Sequence, residues 1–491
     1  MQKDNNSYRS ILKGTAMFGG VQVFNILINL LRGKMVAVLL GPEGMGISSL
    51  LATASNTLQQ FSSLGLNLSI VKEVACAKEQ KKDDSLLATI HIARKLLRIT
   101  ALFGAVATIF MASWLSEWSF GTEDYRWYFI FCSLVVFFTT MSNGELSILQ
   151  GLHEIKNLAL SSIVGALVGL LAGVPLYYFY GYDGIVPAMI LLSFATWLFY
   201  RFSFRKLQYT FSTFSFTWRE IKEPVRRMLS LGCVLMVASL LGTLIGYLFN
   251  AFISHYGTLH DVGLYQAANS MTNQYAGLVF TAMSLDFFPR LSAVANNNIQ
   301  VRELVNRQSE IVVLVIAPIV SLVILFSPLL IRILFTYEFL SLIPVIRLMA
   351  LGLFFKAVAF PMGYISFAKG DKTFFFWFEG VWGNIVTLIL NILCYYYWGM
   401  MGIGISFVLS YFISFVLYIF FTGRRYEFRY VSSFRSVFFS QFLLVVLIFG
   451  SSFLPVVFWG EIIQSILCIV CVIICICGLN NRLQFFKRNS L

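Results

Sequence analysis

The sequence predicts an all-α integral membrane protein with about fourteen transmembrane helices. Of its 491 residues, 58% are hydrophobic and 12% are charged, whereas a soluble domain usually has about 25% charged residues. The mean hydropathy is +0.78, and a water-soluble fold of this size could not cover so much apolar surface with polar groups. The lengths of the apolar stretches and the distribution of basic residues predict the same class.

Fourteen apolar stretches are long enough to cross a bilayer, which takes roughly 20 mostly apolar residues as a helix. They cover residues 14–36, 44–68, 95–115, 127–150, 157–180, 184–203, 228–253, 262–288, 311–335, 342–368, 374–398, 402–421, 436–458 and 461–480. Nearly all are joined by short connections. The first apolar stretch is too long for the apolar region of a cleavable signal peptide.

Lys and Arg are distributed unevenly between the two sides of this arrangement. If the N-terminus is cytoplasmic and the stretches alternate in direction, 30 of the 36 Lys and Arg fall on cytoplasmic segments. Membrane proteins retain positive charge on the cytoplasmic side, so the sequence predicts that both termini face the cytoplasm. These loops also account for the net charge of +13, and we expect no nucleic-acid partner.

An internal repeat relates the two halves of the chain. Five of nine residues are identical between Tyr177–Ile185 and Tyr395–Ile403, at an offset of 218. Further matches are Tyr200 with Tyr418 at the same offset, Ser147 with Ser366 and Gly151 with Gly370 at 219, and Gly46 with Gly263 at 217. Helices 1–6 therefore correspond to helices 7–12.

The repeat predicts two pseudo-symmetric six-helix lobes around a central cavity, with two extra C-terminal helices. The predicted boundaries are 1–210 for the N-terminal lobe, 211–425 for the C-terminal lobe and 426–491 for the additional helices. Six is an even number, so both lobes enter the membrane in the same direction and should be related by an axis along the membrane normal.

Several ionisable residues lie inside the apolar stretches, where a charge is costly and usually lines water or a ligand path. Lys356 lies near the middle of the tenth stretch, too deep for its side chain to reach the surface easily. The predicted substrate-binding residues are Lys34, Arg32, Arg347, Lys356, Asn25, Asn269 and Asn273. On a straight helix, Arg347 and Lys356 are half a turn out of phase and should face different neighbours.

Two carboxylates, Glu145 and Glu379, lie about a turn and a half inside the predicted cytoplasmic edge. Either could carry a coupling proton or sodium ion. Each could equally pair with a nearby basic residue, and the sequence leaves both interpretations open.

The sequence contains no catalytic constellation. The four His have no metal-ligand spacing, and the sequence contains no P-loop. We therefore expect that the protein binds no metal or cofactor and is not an enzyme. Cys468 and Cys471 have a metal-like spacing but lie in an apolar stretch, which indicates packed or lipid-facing thiols.

Three motifs resemble those of the Wzx-type oligosaccharide flippases of the multidrug/oligosaccharidyl-lipid/polysaccharide exporter superfamily. The first places Lys34 and Ala37 before Leu40-Gly41-Pro42-Glu43-Gly44-Met45-Gly46. The others are Leu149-Gln150-Gly151-Leu152 after the fourth stretch and Phe288-Pro289-Arg290-Leu291-Ser292 after the eighth.

This resemblance implies that the substrate is an undecaprenyl-diphosphate-linked oligosaccharide, moved across the bacterial inner membrane for O-antigen, capsule or exopolysaccharide assembly. It also implies a cationic central cavity, with Lys34 at the family's basic position, and a proton or sodium antiport. Membrane lipid, a polysaccharide polymerase and chain-length proteins are the further partners we expect.

Three alternatives remain open at this point. A drug or cation exporter of the same superfamily would favour acidic over basic groups in its cavity. A membrane glycosyltransferase or polymerase would usually have a large outside loop, and the outside loops here are short. A facilitator-type sugar transporter would show a Gly-x-x-x-Asp-Arg pattern in the loop around Ala77–Asp83, which is absent.

Overall fold

The computed structural model describes residues 2–79, 83–205, 218–454 and 457–483, and these residues are almost entirely helical. The α-helices are α1 (Gln2–Ser62), α2 (Leu66–Glu79), α3 (Asp83–Phe110), α4 (Ala112–Phe120), α5 (Arg126–Gly151), α6 (Ile155–Tyr180), α7 (Ile185–Arg205), α8 (Trp218–Tyr256), α9 (Leu259–Ala293), α10 (Asn298–Leu334), α11 (Ile343–Ala368), α12 (Lys372–Phe374), α13 (Gly383–Tyr426), α14 (Ser432–Ser451) and α15 (Val457–Leu483). A π-helical turn, Phe375–Trp382, joins α12 to α13. The predicted all-α class is confirmed.

The predicted count of fourteen crossings is consistent with these helices. Three apolar helical runs have 39, 50 and 51 residues, which is too long for one crossing each. They break at Gly41, Gly181 and Gly399, where the backbone φ is positive, and so provide the predicted pairs 1/2, 5/6 and 11/12. The third crossing is bent by 63° between α3 and α4.

The helix breaks confirm the internal repeat. Gly181 has φ 57° and ψ −127°, and Gly399 has φ 55° and ψ −137°. Both values lie in a region that only glycine adopts without strain. Three residues later, Gly184 lies against the carbonyl of Leu176, and Gly402 lies against that of Cys394. The offset is 218 for every one of these pairs.

The C-terminal ends of α5 and α11 also have the same conformation, but with a different offset. After α5, the amides of Leu152 and Glu154 donate to the carbonyls of Ile148 and Leu149. After α11, the amides of Lys369 and Asp371 donate to the carbonyls of Ile365 and Ser366. Each pair is 217 residues apart.

A lysine contact beside these helix ends follows the same offset. The Nζ of Lys78 donates to the carbonyl of Leu152, and the Nζ of Lys369 donates to the carbonyl of Ala295 at 2.7 Å. Lys78 corresponds to Ala295, and Leu152 corresponds to Lys369. The lysine is therefore the first residue of the contacting pair in one half and the second residue in the other. The contact itself is preserved.

The matches at an offset of 219 are therefore wrong. Ser366 corresponds to Leu149 rather than Ser147, and Gly370, with φ 69°, corresponds to His153, with φ 53°. The offset rises from 217 at Asp371 to 218 at Gly399, so the second repeat contains one additional residue between them. The π-helical turn Phe375–Trp382 lies in this interval.

The chain forms two compact units, Met1–Gly263 and Leu264–Leu491. The first extends beyond the predicted lobe boundary at residue 210 because α8 packs on α1 and α2. Its core includes apolar residues of α2, α3, α5 and α7. The core of the second unit lies among α9, α10, α11, α14 and α15.

Helix α2 was not predicted, since residues 69–94 were assigned to a cytoplasmic loop. Its buried residues Leu66, Ile70, Val74 and Ala77 recur at intervals of three or four. This spacing is that of an amphipathic helix. The helix packs on α5 and α8, while its lysines Lys72 and Lys78 are exposed.

The two extra C-terminal helices, α14 and α15, pack on α10. Arg482 Nε of α15 contacts Glu310 Oε2 of α10 at 2.6 Å. The thiols of Cys471 and Cys475 are buried and donate to Gln441 Oε1 on α14. The sequence predicted packed or lipid-facing thiols in this stretch; Cys468, Cys471 and Cys475 are packed and Cys477 is exposed.

Gly46 and Gly263, matched at an offset of 217, contact each other. A Cβ at Gly46 would overlap the carbonyl oxygen of Leu259, and a Cβ at Gly263 would overlap that of Pro42. Pro42 and Leu259 are also 217 residues apart, so each repeat contributes an equivalent glycine and an equivalent carbonyl group to the contact. It allows the backbones of α1 and α9 to approach more closely than side chains would permit.

The Gly46→Ala substitution should lower thermal stability in detergent, because its methyl group must displace the α9 backbone. Overpacking of this kind typically costs about 1–3 kcal/mol. Gly242→Ala is a matched control, since a Cβ there has no neighbour within 4 Å. Equal melting temperatures for the two variants would contradict the proposed close contact.

Asp371 connects the C-terminal ends of α11 and α13. Its Oδ2 accepts hydrogen bonds from Tyr426 Oη at 2.8 Å and from Arg425 Nε, and its Oδ1 accepts one from the amide of Phe374. Burial raises the pKa of the Asp371 carboxyl, but these hydrogen bonds together outweigh burial, so that its pKa is lowered.

The Asp371→Asn substitution should lower the melting temperature at neutral pH, and the difference from the native chain should disappear in acid. Because the folded pKa lies below the unfolded value of about 3.9, the stabilisation is complete above that pH and is lost as the pH falls through the folded pKa. Thermal unfolding between pH 7 and pH 3 measures this. Asp124→Asn, in an exposed loop, is the control for the loss of a surface carboxylate.

Candidate functional site

Lys356 lies beside a cavity within the second compact unit. It projects from the middle of α11, and its Nζ lies 5.0 Å from the ring centroid of Tyr411 on α13 and 5.9 Å from that of Phe280 on α9. Both distances are within the range of a cation–π interaction. The aromatic rings therefore help to hold the ammonium group inside the membrane-spanning region.

The cavity has a volume of about 490 Å³ and lies between α11, the π-helical turn and α13. Seven of its seventeen lining residues are aromatic, and the others include one amide and the aliphatic hydroxyls of a threonine and a serine. The aromatic and polar lining residues are Lys356, Phe360, Tyr364, Phe367, Phe378, Trp382, Asn384, Thr387, Tyr411, Ser414 and Tyr418. Among the lining residues that the structure describes, Lys356 carries the single formal charge.

Arg347, the other predicted basic residue of α11, faces a different neighbour. Its Nε lies 3.2 Å from Ser327 Oγ and 3.3 Å from the carbonyl of Ile324, both on α10. Pro328 follows within the same helix, and Ile324 lies four residues before it. A proline at that position leaves the carbonyl without its helical donor, and Arg347 supplies one. The phase difference from Lys356 is as predicted.

The remaining predicted substrate residues are dispersed. Arg32 and Lys34 are half-buried on α1, before its break at Gly41. Asn25 Nδ2 donates to Ser162 Oγ of α6 at 2.9 Å, and Asn269 is half-buried on α9. The side chains of Asn273 and Glu379 lie outside the part of the structure that is described. Of the seven predicted residues, only Lys356 is among the described lining of the cavity.

Sequence reasoning missed most of the cavity walls. Tyr411 and Trp382 are two of many aromatic residues, and no local pattern distinguishes them. A signal did exist in the repeat: the offset changes by one residue between Asp371 and Gly399, the interval that contains the π-helical turn. A careful alignment of the two halves would have indicated the irregular turn.

Glu145 takes part in a buried ion cluster in the first compact unit. Its two carboxylate oxygens contact Arg94 Nη2 at 2.6 Å and Nε at 2.8 Å, and Arg201 Nη1 at 3.0 Å. The guanidinium of Arg94 lies 4.0 Å from the ring centroid of Phe204. Glu145 is 1% exposed and Arg94 is 7% exposed, so α3 and α5 are joined by an ion pair shielded from water. Arg201 of α7, which adds a third contact, is 32% exposed.

The Glu145→Gln substitution should lower the free energy of unfolding by about 3–5 kcal/mol, because it leaves Arg94 buried without its anionic partner. Thermal unfolding in detergent at constant pH measures the effect. Glu303→Gln is the control, since its pair with Arg307 is exposed on α10 and such pairs contribute about 0–1 kcal/mol. A loss no larger than that of the control would show that the cluster is not stabilising.

Comparisons with known proteins show where this architecture recurs. A search of solved structures matches the lipid II flippase MurJ in its inward closed conformation, with a TM-score of 0.74, 15% identity, and coverage of 95% of this chain and 99% of that one. A multidrug resistance MATE family transporter of the MOP superfamily, in its inward-facing conformation, matches with a TM-score of 0.68, 16% identity, and coverage of 84% and 96%. At these identities the matches show a shared fold.

Sequence comparison identifies relatives along nearly the whole chain. The lipid III flippase of Escherichia coli (strain K12) is 22% identical over 420 residues, which cover 83% of this chain and 97% of the relative. The lipid III flippase of Shigella flexneri matches equally well. The family model described as "Polysaccharide biosynthesis protein" matches residues 35–344, well over half of the chain. The protein is therefore a multi-pass membrane protein that belongs to the polysaccharide biosynthesis protein family.

Proposed function

We propose that this protein is a flippase that moves undecaprenyl-diphosphate-linked oligosaccharide repeat units from the cytoplasmic to the periplasmic leaflet of the bacterial inner membrane. The glycan would serve O-antigen, capsule or exopolysaccharide assembly. The observation that carries the proposal is the family match, together with similarity over 97% of the length of a lipid III flippase.

The charges within the membrane-spanning helices support this substrate class. A diphosphate cannot cross hydrocarbon without groups that replace its hydration, and basic side chains supply such groups. Arg347, Arg32 and Lys34 are such side chains, and none of the three is fully exposed. Lys356 lies at the wall of the aromatic cavity. The prenyl chain requires no protein cavity, since it is soluble in lipid.

We further propose that translocation proceeds by alternating access between the two repeat-related lobes and that both termini are cytoplasmic. Ion coupling would use a carboxylate, and the sequence offers Glu145 and Glu379. The pairing of Glu145 with Arg94 and Arg201 makes it the less suited of the two to release and rebind an ion, because removing its charge would leave two guanidinium groups unbalanced. A polysaccharide polymerase and chain-length proteins are the proposed partners.

A drug or cation exporter is the second candidate, because MATE transporters share the fold. An aromatic cavity would suit an organic cation, but the ammonium of Lys356 at its wall would repel one. We infer a carrier rather than an enzyme, since the flippase relatives are carriers and the outside loops are too short to form a catalytic domain.

Reconstitution in proteoliposomes tests the proposal. The native protein should translocate the lipid-linked oligosaccharide of its own host, and Lys356→Gln should reduce the rate about tenfold or more, because a lost hydrogen bond to a charged group has about that effect. Lys95→Gln, on an exposed part of α3, is the matched control and should translocate at the native rate.

Failure of the native protein to translocate this substrate, with export of an organic cation instead, would favour the exporter. Native translocation that is unaffected by Lys356→Gln would retain the flippase and remove Lys356 from its mechanism.

A further inference from the structure

The π-helical turn that precedes α13 has no counterpart in the first repeat. The equivalent helix there, α6, is α-helical from Ile155 to Tyr180. The second repeat has one additional residue between Asp371 and Gly399, and a π turn is the way in which a helix accommodates one additional residue while keeping its backbone hydrogen-bonded. An inserted residue also rotates one part of the helix against the other by about 100°.

This rotation determines which side chains of the helix reach the cavity. Phe378 and Trp382 lie within the turn, and Asn384 and Thr387 follow it by up to five residues. All four line the cavity opposite Lys356. Because π turns occur frequently at functional sites, the coincidence of the only described π turn with the cavity wall indicates that the insertion serves a purpose.

The first repeat shows that the fold does not require these side chains. At the positions equivalent to Lys356, Trp382, Asn384, Thr387 and Tyr411, the first repeat has Thr139, Val164, Ala166, Gly169 and Ser193. The same helix pair, with the same break at its outer end, therefore forms without an amine, an amide or the large rings. Packing alone does not account for the composition of the cavity.

The chemistry of the walls favours a sugar ring. Aromatic faces carry partial negative charge and attract the slightly positive C–H groups on one face of a pyranose. Asn384 Nδ2 and the hydroxyls of Thr387 and Ser414 donate to helix carbonyls, so their side-chain oxygens can accept from the sugar's hydroxyl groups. The amine of Lys356 can donate to those hydroxyl groups. The volume of about 490 Å³ is within the roughly 300–1,000 Å³ range of small-ligand pockets.

Two other parts of a lipid-linked oligosaccharide fit this cavity poorly. A diphosphate carries several negative charges and is usually held by several cationic or N–H donors, whereas Lys356 is the single formal charge among the described lining residues. A prenyl chain has no polar groups to match the amide, hydroxyl and amine groups of the walls, and it already dissolves in the surrounding lipid.

We propose that this cavity is a hexopyranose subsite, created by the one-residue insertion, which holds one sugar of the transported glycan. The proposal depends on the flippase function for its physiological ligand. The binding of a free sugar does not depend on that function, and the two can be tested separately.

Saturation-transfer NMR with methyl glucopyranoside tests the subsite, using the whole protein in nanodiscs free of glycoside detergents. The native protein should transfer saturation to the ring protons of the sugar. Trp382→Leu keeps an apolar side chain but removes the ring, and should weaken binding about tenfold, as expected for one lost aromatic contact. Trp377→Leu is the matched control, because Trp377 is exposed on the same π turn and does not line the cavity.

The same variants are then tested for binding of undecaprenyl diphosphate without sugar, which Trp382→Leu should leave unchanged. Equal sugar binding by the Trp382 and Trp377 variants would overturn the subsite. A loss of undecaprenyl diphosphate binding in Trp382→Leu would also overturn it, and would assign the cavity to the diphosphate while leaving the flippase intact. Sugar binding as expected, with no translocation by the native protein, would instead overturn the function and retain the subsite.

Deletion of Gly380 within the π turn tests the origin of the cavity. It restores the residue count of the first repeat, so the turn should become α-helical and sugar binding should be lost while the melting temperature stays close to native. A folded deletion variant that binds the sugar as well as the native protein would show that the insertion does not create the subsite. The point variants decide the proposal if the deletion variant fails to fold.

Discussion

The structure depends on one constraint: inside hydrocarbon, every backbone N–H and C=O must find a partner within the protein. Helices satisfy this requirement, and departures from them have to preserve most of the hydrogen bonds. The breaks at Gly41, Gly181 and Gly399 divide long runs of helix without a connecting loop. The additional residue in the second repeat is likewise absorbed as a π turn, Phe375–Trp382, which retains backbone bonding. A looped-out residue would expose unpaired groups to lipid.

The same constraint explains which features the sequence predicted. A crossing needs a long apolar run, so all fourteen could be found from hydropathy, and the repeat could be found from a glycine motif that breaks a helix. Helix α2 was missed because it needs only one apolar face, and its charged face was taken for a loop. The register of the repeat at α5 and α11 was wrong because identical residues were matched, whereas the hydrogen bonds pair Leu149 with Ser366.

Charges in the membrane were easy to find but hard to assign. The sequence placed Glu145 and Lys356 correctly inside apolar stretches, but their partners come from distant parts of the chain. Arg94 and Arg201 lie 51 and 56 residues from Glu145. Tyr411 reaches Lys356 from another helix. Which aromatic residues converge on Lys356 depends on helix phase, and a single inserted residue changes that phase by about 100°. Composition cannot reveal such a change.

Duplication lets each half serve as a reference for the other. Where both halves have the same feature, as at Gly181 and Gly399 or in the lysine contacts beside α5 and α11, the fold requires it. Where they differ, the other half shows that the shared fold can form without the feature. The first half has a buried ion cluster around Glu145, and the second has apolar Met362 at the equivalent position. The second half has Lys356 in an aromatic cavity, and the first has Thr139. The two halves of a symmetric scaffold thus have charges of different kinds. One half has a buried cluster of ion pairs, and the other has an amine at a cavity wall.

A carrier whose substrate has chemically different ends requires such asymmetry, because two identical halves would offer both ends the same surroundings.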